Sequence, residues 1–228
     1  MRDNVNDVNV QAADAAPAWV MGGVALMLML LSLLMPASVL ADEGQGVAQL
    51  RAFVARVSQA EGVFEQTVHA ASGRRPQFAS GHFVFQRPGR FRWVYEAPYP
   101  QVLVSDGQRL WSWDEDLNQV TVQTLGDALG STPAAVIAGN GDLDADFELA
   151  DAGERDGLMW VEARPRLPDS MFESVRLGLS GGLLRRMEMR DNFGQRTEVV
   201  FSELNPGADI APDSFSFTPP PGADIIGE

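Results

Sequence analysis

Hydrophobic positions change period once, early in the body of the chain, and then hold the new period almost to the end. Between Val47 and Ser58, the residues Val47, Leu50, Val54 and Val57 recur at helical spacing, while Gln49, Arg51 and Arg56 fall off that stripe. That spacing predicts an amphipathic helix. Beyond it the period drops to two, predicting strands at Val63–His69, Phe78–Gln86, Arg90–Glu96, Gln101–Ser105, Arg109–Asp114 and Gln119–Thr124. A second run follows at Phe147–Ala150, Leu158–Ala163, Phe172–Leu179, Leu184–Arg190 and Gln195–Glu203. Asp106-Gly107, Gly181-Gly182 and Asn192-Phe193-Gly194 supply hairpin turns. So many short strands with closely spaced turns predict a mainly β fold, an antiparallel sheet large enough to curve strongly or close on itself.

One segment breaks the alternation. Leu125–Gly139, LGDALGSTPAAVIAG, offers Ser131 or Thr132 as a helix cap and Pro133 at the first helical position, with Gly139 able to end the turn. The short helix so predicted is apolar nearly all round and must lie against something apolar. Two readings stay open: a plug that completes the core, and a lid over an opening in the sheet.

Phe83–Trp113 holds eight of the chain's nineteen aromatic residues. Phe91, Trp93 and Tyr95 alternate with Arg92, Val94 and Glu96, so they share one strand face. Such a face serves equally well as an ordinary core or as the wall of an apolar cavity.

Composition narrows the choice. An apolar run from Val20 to Met35, then Pro36, then small residues ending at Ala41 reads as an export signal cleaved before Asp42, giving 1–41 as leader and 42–228 as one mature domain. The alternative is a retained membrane-spanning helix. Residues 1–19 are unusual for a leader, with Arg2 set against Asp3, Asp7 and Asp14. Removing 1–41 leaves 16 arginines against 28 acidic residues, a net charge of −12. That balance opposes binding to nucleic acid or anionic lipid. No cysteine occurs anywhere, so the chain has neither disulfides nor an acylation site of its own.

Catalytic patterns are sparse. His69 and His82 sit on predicted strands outside any zinc-binding spacing, and no serine-hydrolase elbow or P-loop occurs. Asp142, Asp144 and Asp146 resemble the start of a calcium loop, but Phe147 stands where its glycine belongs. The reading is therefore a protein without enzymatic activity, cofactor or metal.

Two stretches carry a family resemblance. RPGRFRWVYEAPYPQVLVSDGQRLWSWDEDLNQVTV, Arg87–Val122, with its R-P-x-x-F-x-W block followed by V-S-D-G-x-x-L-W, resembles the core of the periplasmic lipoprotein carrier (LolA) family, and GSTPAAVIAGN, Gly130–Asn140, resembles that family's lid. VSQAEGVFEQ near the front and FSFTPPPGADI near the end extend the match over nearly all of the mature chain. The resemblance implies an incomplete, strongly bent antiparallel barrel capped by helices, acting as a monomeric periplasmic chaperone. Its cargo would be acylated lipoproteins, received from an inner-membrane ABC transporter and passed to an outer-membrane receptor. It also implies roles for residues: Arg87 as lid latch; Phe91 and Trp93, then Phe64, Phe83, Phe85 and Trp111, along the acyl-chain cavity; Pro133, Ala135, Val136 and Ile137 in the lid. The runner-up is a regulatory module of the same fold that senses lipidated proteins or binds a membrane regulator. The small side chains Ala134 and Ala135 suggest a lid that buries little, and the few residues after Pro220 leave scant room for the extra C-terminal strand of some members.

Overall fold

The computed structural model describes residues 44–128, 133–139, 143–166 and 170–227. The leader reading for 1–41 lies outside them. Twelve strands form one sheet: β1 (Gln59–His69), β2 (Gln77–Gln86), β3 (Arg90–Ala97), β4 (Gln101–Asp106), β5 (Arg109–Asp114), β6 (Gln119–Thr124), β7 (Phe147–Arg155), β8 (Leu158–Pro165), β9 (Phe172–Ser180), β10 (Leu183–Asp191), β11 (Arg196–Asn205) and β12 (Asp224–Gly227). Their spatial order is β12-β6-β5-β4-β3-β2-β1-β11-β10-β9-β8-β7. Two antiparallel meanders, β1–β6 and β7–β11, are thus joined through the β1–β11 ladder, where Phe64 faces Phe201. The eleven strands expected from alternation all occur, most of them extended by a residue or more.

β12 corrects one expectation. The few residues after Pro220 do form a strand, which pairs in parallel with β6 from Asp224↔Gln119 to Gly227↔Val122. Asp224 N–H donates to Asn118 O at 3.0 Å, and Asn118 Nδ2 donates to Gly222 O at 3.0 Å, anchoring its start.

The sheet is bent and open at both edges. Register shifts interrupt the β1–β11, β2–β3, β7–β8 and β9–β10 ladders, and such bulges bend a sheet and add twist. At one of them Gly81 admits the β3 backbone so closely that a Cβ there would stand 1.8 Å from Val94 O. Bending brings Leu110 and Ser112 of β5 to the same groove as Met189 of β10 and Thr197 of β11, although these strands are far apart in the sheet order.

Among the described residues, four α-helices accompany the sheet: α1 (Gln45–Arg56), α2 (Leu125–Ala128), α3 (Pro133–Ala138) and α4 (Leu143–Asp146). α1 buries Val47, Leu50 and Phe53 against β7–β9. Its first N–H groups are satisfied from across the chain, Asp151 Oδ1 accepting from Gly46 N at 2.9 Å and Val47 N at 3.2 Å; a carboxylate there also complements the helix dipole. Among the described residues no helix is long and apolar enough to cross a membrane.

The two faces of the sheet are covered differently. The concave face carries Phe64, Phe83, Phe85, Phe91, Trp93, Leu103 and Leu110 in one core with residues of α1 and α3. On the convex face, buried Val104 and Val120 belong to no part of that core. A short 3-10 helix (Pro212–Phe215) packs across β3 and β4 there, with Phe215 buried.

Candidate functional site

The site begins at the β2–β3 turn, Arg87-Pro88-Gly89, whose Arg87–Pro88 peptide is cis. Arg87 N–H donates to Ser58 O at 2.7 Å, tying the turn to the end of α1. The guanidinium divides its donors between two helices: Nη1 donates to Val57 O, the cap of α1, and Nη2 donates to Ile137 O in α3 at 2.8 Å. It lies between two rings, 5.4 Å from the Phe53 centroid and 4.9 Å from that of Phe85. A planar cation with a fixed fork of donors suits such a place better than a lysine, because it stacks and bridges at once. Burial draws its pKa down from the ordinary guanidinium value to about 10, so it remains cationic at neutral pH.

One backbone bond repeats the tie, since Gly89 N–H donates to Ala138 O at 2.7 Å. Gly89 has φ +69°, and a Cβ there would meet Leu125 Cδ2 at 2.6 Å. Only glycine fits both the left-handed backbone and the close approach.

Beneath α3 lies the aromatic face. Ile137 and Ala138 are buried in the same core as Phe85, Phe91 and Trp93, and Val136 packs against it. Trp93 is the hub, with ring centroids 4.3 Å from Phe64, 5.1 Å from Phe83 and 6.3 Å from Phe201. Next along the strand, Tyr95 Oη donates to Gln66 Oε1 at 3.1 Å. Burial pushes the Tyr95 hydroxyl up to about 12, so it stays protonated. The Trp93 indole N–H is near enough to weaken that shift but makes no hydrogen bond of normal geometry. A buried N–H left so costs about 1–3 kcal/mol, which a ligand oxygen reaching it would recover.

The structure brings Arg87, Phe64, Phe83, Phe85, Phe91, Trp93, Val136 and Ile137 together. It separates Trp111 from them. Trp111 pairs with Val104 on β4, which pairs with Arg92 on β3, so all three point to the convex face. There the Trp111 ring meets Phe217 at 6.2 Å. The reading of Trp111 as a cavity wall is corrected accordingly. Pro133 and Ala135 are backbone positions of α3, but their side chains lie outside the described residues, as do the side chain of Ala134 and all of Ser131, Thr132 and Asp142. His82 is exposed and sits 2.9 Å from Glu96, while His69 lies 3.7 Å from Glu198. Asp144, part of the calcium-like run, bonds Arg51 at 2.8 Å.

Alternation did not reveal that Arg87 also reaches α1, through Val57 O and the Phe53 ring. The nearest signal was Phe53 itself, an aromatic residue beside the predicted apolar stripe.

With that geometry in place, comparisons identify the chain. The family model described as "Outer membrane lipoprotein carrier protein LolA" matches residues 55–218. An outer-membrane lipoprotein carrier protein of Dechloromonas aromatica is 47% identical over 182 residues, covering 80% of this chain and 88% of its own. The chain belongs to the LolA family of outer membrane lipoprotein carrier proteins. Another carrier, from Methylobacillus flagellatus, is 43% identical over 205 residues, covering 90% of this chain and 98% of its own. In fold, the chain is similar to the crystal structure of an uncharacterized conserved protein from Thermus thermophilus. That likeness has a TM-score of 0.52 at 12% identity and covers 78% of this chain and 96% of the other. These carrier relatives do not favour the regulatory-module alternative.

Proposed function

We propose that this carrier shelters the acyl chains of lipoproteins in the apolar space between α3 and the aromatic face, with Arg87 as the latch of α3. A tail of about fourteen carbons exposed to water represents roughly 11 kcal/mol of unfavourable transfer free energy, so it cannot cross an aqueous compartment unshielded. The empty carrier faces the same problem with its own rings, and α3 answers it: Val136, Ile137 and Ala138 cover Phe85, Phe91 and Trp93 until cargo takes their place. Binding is therefore an exchange of one apolar cover for another, which keeps the net affinity low enough for release.

The observation that carries this reading is the position of Arg87, whose single guanidinium joins the ends of α1 and α3 directly above the aromatic cluster. Hydrogen bonds to a charged group contribute about 1.5–3 kcal/mol each. That is small beside the acyl transfer term, yet enough to bias an open–closed equilibrium roughly ten- to a hundredfold. No bond to the cargo is made or broken, and no nucleotide is consumed.

The carrier works in the periplasm, as a monomer, after cleavage before Asp42. It receives lipoproteins from an inner-membrane ABC transporter and yields them to an outer-membrane receptor. The family's carrier identity and the apolar interior support this itinerary. Co-expression with an acylated lipoprotein and its transporter tests it. A soluble periplasmic complex is expected, and failure to recover one while the transporter is active would overturn the reading.

A further inference from the structure

We infer that the carrier interior has a second opening, at the strand ends opposite the Arg87 turn, and that the terminal methylenes of the cargo's acyl chains lie in it. This rests on the acyl-chain reading above and names a further part of the same site. A groove of about 360 Å³ crosses the concave face there, between Tyr95, Leu103 and Leu110 on one wall and Phe172, Met189 and Thr197 on the other. Leu103, Leu110 and Met189 belong to the core that holds the aromatic cluster, and the Tyr95 ring meets Phe64 at 5.1 Å. The groove is thus continuous with the interior under α3. A second groove of about 440 Å³ shares Gln66, Val68, Tyr95 and Gln101 with it and runs out to Phe78 and Tyr99.

Its rim has the chemistry of an unfinished apolar site. Phe78, Tyr99, Met171 and Phe193 are 66%, 73%, 55% and 83% exposed, and they stand around these two grooves or at their mouths. Large exposed apolar residues gathered at one end mark a surface that meets something apolar. The polar groups between them are mostly uncharged amides, Gln66, Gln77, Gln101, Gln123 and Gln195, with Asp191 as the one carboxylate. A narrow channel with a single carboxylate and no cation among its lining residues suits a hydrocarbon chain, whereas an anionic headgroup would find no counter-ion within it. The closed interior beneath α3 is filled by rings, so space for chain ends is already formed here before the latch opens.

A palmitoylated lipopeptide bearing a photoreactive group at the end of its acyl chain tests the inference on the full carrier. Cross-links to segments containing Tyr95, Phe172 or Met189 are expected. Binding with cross-links confined to segments of Phe53, Phe85 and Ile137 would overturn the second opening while leaving the carrier reading intact, and the rim would then belong to a membrane or protein contact. No binding at all would overturn both. Filling the groove gives an independent check. Thr197→Trp and, on the other wall, Ser112→Trp should reduce the preference for palmitoyl over decanoyl lipopeptide roughly ten- to fiftyfold, the equivalent of two or three methylenes. An unchanged preference in folded variants would contradict the inference.

Discussion

The same strands are covered on both faces, and the two covers are held in contrasting ways. On the concave face, α3 lies over Phe85, Phe91 and Trp93 and is tied through Arg87 and Gly89, two positions of a single turn. On the convex face, the segment around Phe215 and Phe217 lies over Val104 and Trp111 and then continues into β12, which is hydrogen-bonded along β6. Its polar ties are weak, Arg92 reaching Ser214 O and Ser216 O only at 3.5 Å. The convex cover thus depends on apolar packing and on a strand. Among the described residues, the polar hold on α3 comes from the single turn of Arg87 and Gly89, so a change there is expected to free the cover without disturbing the sheet.

The widest contrast should come from truncating one buried ring on each face. Trp93→Ala and Phe215→Ala should each cost about 3–5 kcal/mol in denaturant unfolding. Only the first should also abolish lipopeptide binding; equal loss of binding in both would erase the functional difference between the faces.

Arg87→Leu comes next. It should leave the fold intact, raise opening of α3 roughly ten- to a hundredfold, and yield a carrier that loads but transfers cargo poorly. Arg87→Lys should recover only part of the closure, because an ammonium cannot bridge both carbonyls and stack between two rings. Normal transfer by either variant would count against the latch. The folded pKa of Arg87 lies below its unfolded value, so the cost of burying the cation is fully present below about 10 and is relieved as pH rises from there towards the unfolded value. Closure should consequently be flat in pH around neutrality and should not weaken as pH rises through about 10, because loss of the proton favours the state that holds the guanidinium buried.

Gly89→Ala should cost about 1–2 kcal/mol through its left-handed backbone and the clash with Leu125. It should also loosen α3, measurable as faster proteolysis at 133–139. The smallest effect belongs to the convex face: Arg92→Ala should change stability within about 0.5 kcal/mol and leave transfer untouched. A larger loss would mean that the convex cover has a latch of its own.

Much of this arrangement is legible in the sequence because polar and apolar residues alternate cleanly wherever one face meets water. Phe91, Trp93 and Tyr95 alternate with Arg92 and Glu96, and their common face is unambiguous. Trp111 was harder because β4 is apolar on both sides: Leu103 and Val104 are both buried, one towards each cover. Without a polar face, periodicity says that Trp111 and Trp113 agree with each other but not which way they point. The Asp151 cap of α1 and the Val57 carbonyl under Arg87 were hidden for another reason. Each joins residues distant in sequence, and a backbone carbonyl carries no residue-type signal. β12 was missed because four exposed residues leave no periodic trace; backbone pairing to β6 makes it a strand.

Native-state hydrogen exchange at the amides of residues 134–139 and at Gly89, in wild-type carrier and in Arg87→Leu, tests the latch most directly. Exchange roughly ten- to a hundredfold faster at those amides, with protection of β1 and β3 unchanged, is the predicted result. Equal exchange in the two proteins would contradict the claim that Arg87 holds α3 closed.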